Sequence, residues 1–172
     1  MFIDESGANE RTGSRKFGWS PKGLACHEFE SIKRSERWSI LPAMTVDGYL
    51  GNPLIYQGGI NAEIFCAWLA EDVLPQLLEG SILIMDNASI HRAAEVYELV
   101  ASHGCELEFL PPYSPDLNPI ELSFAILKAW IKRYISLAGL FEDFGVFLRM
   151  AVQRAGGIHA AAHFDHSGYL FP

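Results

Sequence analysis

The sequence predicts an α/β fold: a mixed sheet, an antiparallel meander plus parallel strands, with helices on both faces. Three observations carry this. Short alternating runs crowd the first third of the chain, with Asp47-Gly48 between two of them as a tight hairpin turn. Beyond residue 60 the pattern changes to helix, strand, helix, strand, helix, helix. The two later strands are short apolar runs that suit a buried, parallel position.

Taken in order, Met1–Glu5 reads as a short strand ending in two carboxylates, Asp4 and Glu5. Ser6–Gly23 is loop-like, with Gly18-Trp19-Ser20-Pro21 as its most structured piece. Leu24–Ser31, Arg37–Val46 and Tyr49–Tyr56 alternate in polarity, and together with the first strand they make a meander. Asn61 caps a helix to Leu78, in which Ile64, Phe65, Trp68, Leu69, Val73, Leu74 and Leu77 recur at helical spacing. Ser81–Met85 is a buried strand ending at Asp86-Asn87. A helix over Arg92–Ser102 closes at His103-Gly104. A strand from Glu106, a helix from Pro119 to about Leu137, an amphipathic helix over Phe141–Arg154 and a polar tail complete the chain.

The composition bounds the function. With 172 residues, 49% hydrophobic and 20% charged, the chain is expected to form one domain over 1–172. No apolar run reaches the length of a membrane span and no leader opens the chain. The expected location is nuclear in a eukaryote and cytoplasmic otherwise, neither secreted nor membrane-bound. Cys26, Cys66 and Cys105 are odd in number and widely spaced, as reduced thiols are. A net charge of −8 argues against holding nucleic acid by bulk attraction.

Chemistry concentrates in Glu106–Lys132 (ELEFLPPYSPDLNPIELSFAILKAWIK). Four prolines, Pro111, Pro112, Pro115 and Pro119, stiffen the loop between strand and helix. Asn118 is a good N-cap, Pro119 suits the first helical position, and Glu121 falls where a capping box places its glutamate. That box alone explains an isolated Asn-x-x-Glu. Here the loop is stiffer than a cap requires, and the nearly apolar helix behind it reads as buried. Asp4 and Asp86 also lie at strand C-terminal ends, where ligands of such sheets gather. Three converging carboxylates repel one another unless a cation sits between them. Oxygen-only ligands suit Mg²⁺ or Mn²⁺. Two such ions, about 3.5–4 Å apart, serve phosphodiester chemistry.

The segments FIDESG, ILIMDNASIH and FLPPYSPDLNPIE, in this order, resemble the catalytic domain of a mariner-superfamily DDE transposase. Residues 87–120, 34 in all, separate Asp86 from Glu121, as in one branch of that superfamily. RKFGWSPKG at Arg15–Gly23, Trp38–Gly48 and HFDHSGY at His163–Tyr169 extend the resemblance over nearly the whole chain. It implies a ribonuclease-H-like fold and a metal triad of Asp4, Asp86 and Glu121 holding two Mg²⁺ (or Mn²⁺) ions. It implies endonucleolytic cleavage at transposon ends and transfer of the freed 3′-hydroxyl into target DNA. The partners implied are DNA and a second copy in a homodimer. The helix-turn-helix region that precedes this domain in the family is absent from the sequence before Asp4. The alternative is an idle or domesticated remnant acting as a protein-interaction module.

Lesser candidates surround the triad. Asn87 and His91 match the DN…H pattern around the second acid. Arg11, Arg15, Lys16 and Trp19 follow the first, and Lys128, Lys132 and Arg133 lie down the helix from Glu121. These basic and aromatic groups suit DNA contacts. For the lysines and Arg133 a solvated stripe is an equal reading, and for His91 a packed residue is. Trp68 and Trp130 read as core.

Overall fold

The structure is a computed structural model and describes residues 1–13, 18–27 and 36–169. Arg15, Lys16 and the second half of the expected strand Leu24–Ser31 lie outside the described residues. The described remainder of that run, 24–27, is turn and coil rather than strand.

Strands β1 (Phe2–Ile3) and β2 (Ser6–Ala8) both pair antiparallel with β3 (Trp38–Thr45). Their registers are continuous: Ile3 faces Ala43 and Ser6 faces Ile40. They are one strand interrupted at Asp4 and Glu5, and the residue of β3 opposite Asp4 is Pro42. Proline has no N–H to give to a ladder. The pairing of β3 with β4 (Gly48–Gln57) shifts register at the same place, between Leu41 and Ala43. A region expected to be pure loop, Ser6–Gly23, therefore opens with a strand and a 3₁₀ turn at Glu10–Gly13. β1 then pairs parallel with β5 (Ile82–Met85), which pairs parallel with β6 (Glu106–Phe109). The sheet is mixed as the sequence predicts.

Helices cover both faces. Ile3, Leu41, Leu83 and Met85 pack against Phe65 and Trp68 of α1 (Ala62–Trp68) and Val96 and Val100 of α2 (Ala94–Ser102). On the opposite face Phe2 and Met44 meet Ile120 and Phe124 of α3 (Pro119–Tyr134) and Ala160 and Phe164 of α5 (Ala160–His166). Ile40 meets Leu127 and Ile131 of α3 and Phe147 and Ala151 of α4 (Phe144–Ala155). Trp68 is core, its indole N–H donating to the Asn52 carbonyl at 3.0 Å; Trp130 is partly buried against the α4 cluster.

Three expectations are corrected. The helix expected to Leu78 is α-helical only to Trp68; a π turn and a 3₁₀ turn follow, and Pro75 in the latter cannot continue an α-helical ladder. α3 is not buried all round, since Ala125, Lys128, Ala129 and Lys132 face outward while Ile120, Phe124, Leu127 and Ile131 are buried. The expected polar tail is helical (α5), and Phe164 stacks edge-on against Phe2 with centroids 5.3 Å apart. Cys26, Cys66 and Cys105 are all free thiols. Among the described residues no helix is long and apolar enough to cross a membrane.

Candidate active site

The parallel register sets two of the acids side by side. Ile3 is level with Met85, so Asp4 and Asp86 leave adjacent strands at the same height. Alternation puts Asp4 on the face of Phe2, under α3, and Glu5 on the other. There Glu5 Oε1 accepts from Ser39 Oγ at 2.7 Å and Arg37 Nη2 at 3.2 Å, which accounts for it structurally. Asp4, Asp86 and Glu121 line one cavity of ≈ 480 Å³, together with Asn87, Asn118 and the proline-rich loop from Pro111 to Pro115.

Each acid is held differently. Asp4 is nearly buried; its Oδ1 accepts the Glu5 N–H at 2.7 Å and its Oδ2 accepts Asn118 Nδ2 at 2.8 Å. Burial pushes its pKa up to about 6, and the charges of Asp86 and Glu121 add to that rise. Asp86 points toward solvent and is braced on one side. Its Oδ1 accepts the Ala88 N–H at 2.9 Å and lies 2.8 Å from His91 Nδ1. The bond to His91 holds the Asp86 carboxyl below its ordinary value. Glu121 is exposed, and its side chain makes no hydrogen bond to the protein among the described residues.

The capping box is not formed. The Asn118 N–H donates to the Pro115 carbonyl at 3.1 Å, so Glu121 does not reach back to it, and the Asn118 side chain makes no cap bond. Glu121 is left free to face the cavity.

The supporting residues hold the proline loop and the second acid in place. Asn87 Nδ2 donates to the Leu110 carbonyl at 2.6 Å, tying the end of β5 to the start of the proline loop. His91 is 1% exposed, its ring tilted against Phe65 with centroids 4.9 Å apart, so it braces Asp86 from inside the core. Lys128, Lys132 and Arg133 do not line the cavity; all three are exposed, and Arg133 lies 5.6 Å over the Tyr134 ring. Trp19 is fully exposed and likewise not part of the cavity. Asn118 is the residue that sequence reasoning placed correctly and assigned the wrong partner. Its true contact lies 114 positions away, where no local pattern shows it.

The proline-rich family signature is specific, and it lies within the match. Residues 1–139 match the family described as DDE superfamily endonuclease. The chain belongs to that family. No curated protein sequence matches it. Among solved structures this DDE domain is similar to the Mos1 strand transfer complex, with TM-score 0.63 and 17% identity, covering 99% of this chain and 56% of that one. It is similar to the mariner Mos1 paired end complex with Mg, at TM-score 0.58 and 15% identity with the same coverage. A simian T-cell lymphotropic virus intasome matches over 88% of this chain and 46% of its own, at TM-score 0.55 and 14% identity. These likenesses show the ribonuclease-H-like fold of transposase and integrase catalytic domains. The DDE domain spans about half the length of the Mos1 chains it resembles.

Among the described residues no three acidic, histidine or cysteine side chains are arranged, as they stand, to hold one metal ion. The donor chemistry nonetheless fits a divalent hard cation. All donors are oxygens, the three acids share a cavity, and the buried Asp4 carboxylate feels the charges of two acidic neighbours, opposed by a smaller effect of His91.

The proline loop yields a separate expectation. Replacing Pro112 and Pro115 by Gly enlarges the unfolded ensemble, a cost of about 0.4–1 kcal/mol each. Activity is expected to fall further, by roughly tenfold, because Glu121 loses its placement. Denaturant titration beside a cleavage assay separates the two; proportional losses would make the loop merely structural.

Proposed function

We propose that the chain is the catalytic domain of a DNA transposase of mariner type, cutting phosphodiester bonds at transposon ends and joining the freed 3′-hydroxyl to target DNA. The observation that supports it most is the meeting of Asp4, Asp86 and Glu121 in one cavity of a DDE-family fold. Those three residues would hold two Mg²⁺ or Mn²⁺ ions, which when bound supply an activated nucleophile and a sink for charge on the leaving oxygen.

The chain's own residues set the geometry. His91 and the Ala88 N–H fix one oxygen of Asp86 and leave the other to the cavity. Asn87 anchors the loop whose far end carries Glu121. The Glu5 N–H and Asn118 orient the Asp4 carboxylate, and each of its oxygens keeps a second lone pair. The similar Mos1 structures are a strand transfer complex, a paired-end complex with the left transposon end, and paired end complexes with Mg and with Mn. They support reading DNA as the substrate and these cations as the cofactors here.

The test is plasmid nicking at low salt. We expect slow, Mn²⁺-dependent nicking without sequence preference. It should fall steeply with salt, since 13 Lys and Arg against 21 Asp and Glu leave few phosphate contacts and each acts through counterion release. Glu121→Gln is expected to lower the rate by about 10²-fold, the loss of one charge at the metal site. Nicking that survives Glu121→Gln would trace to a contaminant. Its absence under all conditions would support the idle remnant.

A further inference from the structure

Asn118 is 4% exposed, lines the acidic cavity, and spends neither end of its amide on the helix it precedes. Its Nδ2 donates to Asp4 Oδ2 at 2.8 Å, a buried bond across 114 positions. Its Oδ1 is buried without a hydrogen-bond partner. A buried amide oxygen left unpaired costs about 1–3 kcal/mol, so a folded chain that keeps one calls for a ligand outside the protein. The backbone of Asn118 also carries the third acid, because its carbonyl accepts the Glu121 N–H at 3.1 Å.

We propose that Asn118 is a positioning residue of the acidic site. Through Nδ2 it sets the Asp4 carboxylate, through its backbone it sets Glu121, and its Oδ1 accepts from a water in the shell of a bound divalent ion. Mg²⁺ and Mn²⁺ sites of few carboxylates keep several such waters, and a neutral carbonyl oxygen is a suitable acceptor for them. This rests on the metal-dependent reading above. It adds a residue that neither charge nor ligand spacing marks out.

The experiment measures Mn²⁺ affinity of the full chain, by the electron spin resonance of free Mn²⁺, alongside metal-free melting. Asn118→Ser and Asn118→Gly both keep a residue that starts helices well. A capping role predicts Mn²⁺ affinity within twofold of the unaltered chain in both, and that result overturns the proposal. The positioning role predicts a tenfold or greater loss of affinity in both, the size usual for outer partners of metal ligands. Should one variant fail to fold, the other decides. Asn118→Gln keeps the amide on a longer arm and should lose less than either; a loss as large as theirs would overturn the role of the amide. If the unaltered chain binds no Mn²⁺, the functional reading falls and takes this proposal with it. Binding by the unaltered chain with unaffected variants removes the role of Asn118 alone.

Discussion

Asp4→Asn is expected to make the metal-free protein more stable while abolishing its chemistry. The Asp4 carboxyl has a pKa of about 6 in the folded chain against an ordinary 3.8. The folded state therefore binds the proton more tightly than the unfolded state, and ionised Asp4 opposes folding at neutral pH. The penalty is absent below about pH 4, grows as pH rises toward 6, and is complete above it. At 1.36 kcal/mol per decade it reaches about 2–3 kcal/mol. Asparagine removes the charge and keeps the shape. In EDTA at pH 7.5 the variant should melt about 4–8 °C higher, and the gap should close by pH 4. Saturating Mn²⁺ should reverse the order, since only the unaltered site gains from preferential binding to the native state. Nicking should fall by about 10³-fold. A variant less stable than the parent in EDTA would show that Asp4 is held for structure.

Gly157→Ala is expected to cost about 3 kcal/mol, far beyond the ordinary price of one methyl group. Gly157 has φ of +69°, where an alanine loses about 1–2 kcal/mol. Its Cβ would also lie 2.6 Å from the backbone nitrogen of Tyr49 and 3.0 Å from Gly48 Cα, so the β3–β4 turn must move. That turn has little room. Ser123 Oγ donates to Tyr49 Oη at 2.8 Å and accepts the Gly157 N–H at 3.2 Å, joining β4, α3 and the approach to α5. The Tyr49 hydroxyl is buried enough to push its pKa up to about 12. Thermal melting in EDTA should show a fall of about 6–12 °C. Because α5 leads to Tyr169, whose hydroxyl donates to the Leu117 carbonyl at 2.9 Å, the proline loop should loosen too. A loss under 1 kcal/mol would mean that the turn yields easily.

What the sequence made legible was local. Asp47-Gly48 announced its hairpin, the run ILIM its buried strand, and the proline loop the helix start at Pro119. The acids were legible as three residues that end or follow strands. Whether they share a side depends on parallel register, which the resemblance implied and the pairing of Ile3 with Met85 shows. α5 was missed because it is short and His-rich, and its apolar residues Ala160 and Phe164 find their partners only across the fold. β2 was missed for a related reason. Ser6-Gly7-Ala8 has no strand propensity of its own and pairs because Phe2 and Ile3 have already set the register. The Asn118–Asp4 bond is non-local in the same way.

The interruption at Pro42 has a meaning beyond the site. Among the described residues β4 and β6 are outer strands of the sheet, and open edges invite a second chain to add a strand. β4 is long enough to be inviting, but its ladder is broken opposite Pro42, and Gly51 with φ of +61° and Pro53 bend it. β6 is only four residues long, and Glu106 and Glu108 stand exposed along it. One edge is too irregular to template a partner and the other carries like charge toward any copy of itself. The kink that frees Asp4 from the ladder thus also makes the β4 edge a poor template for strand addition.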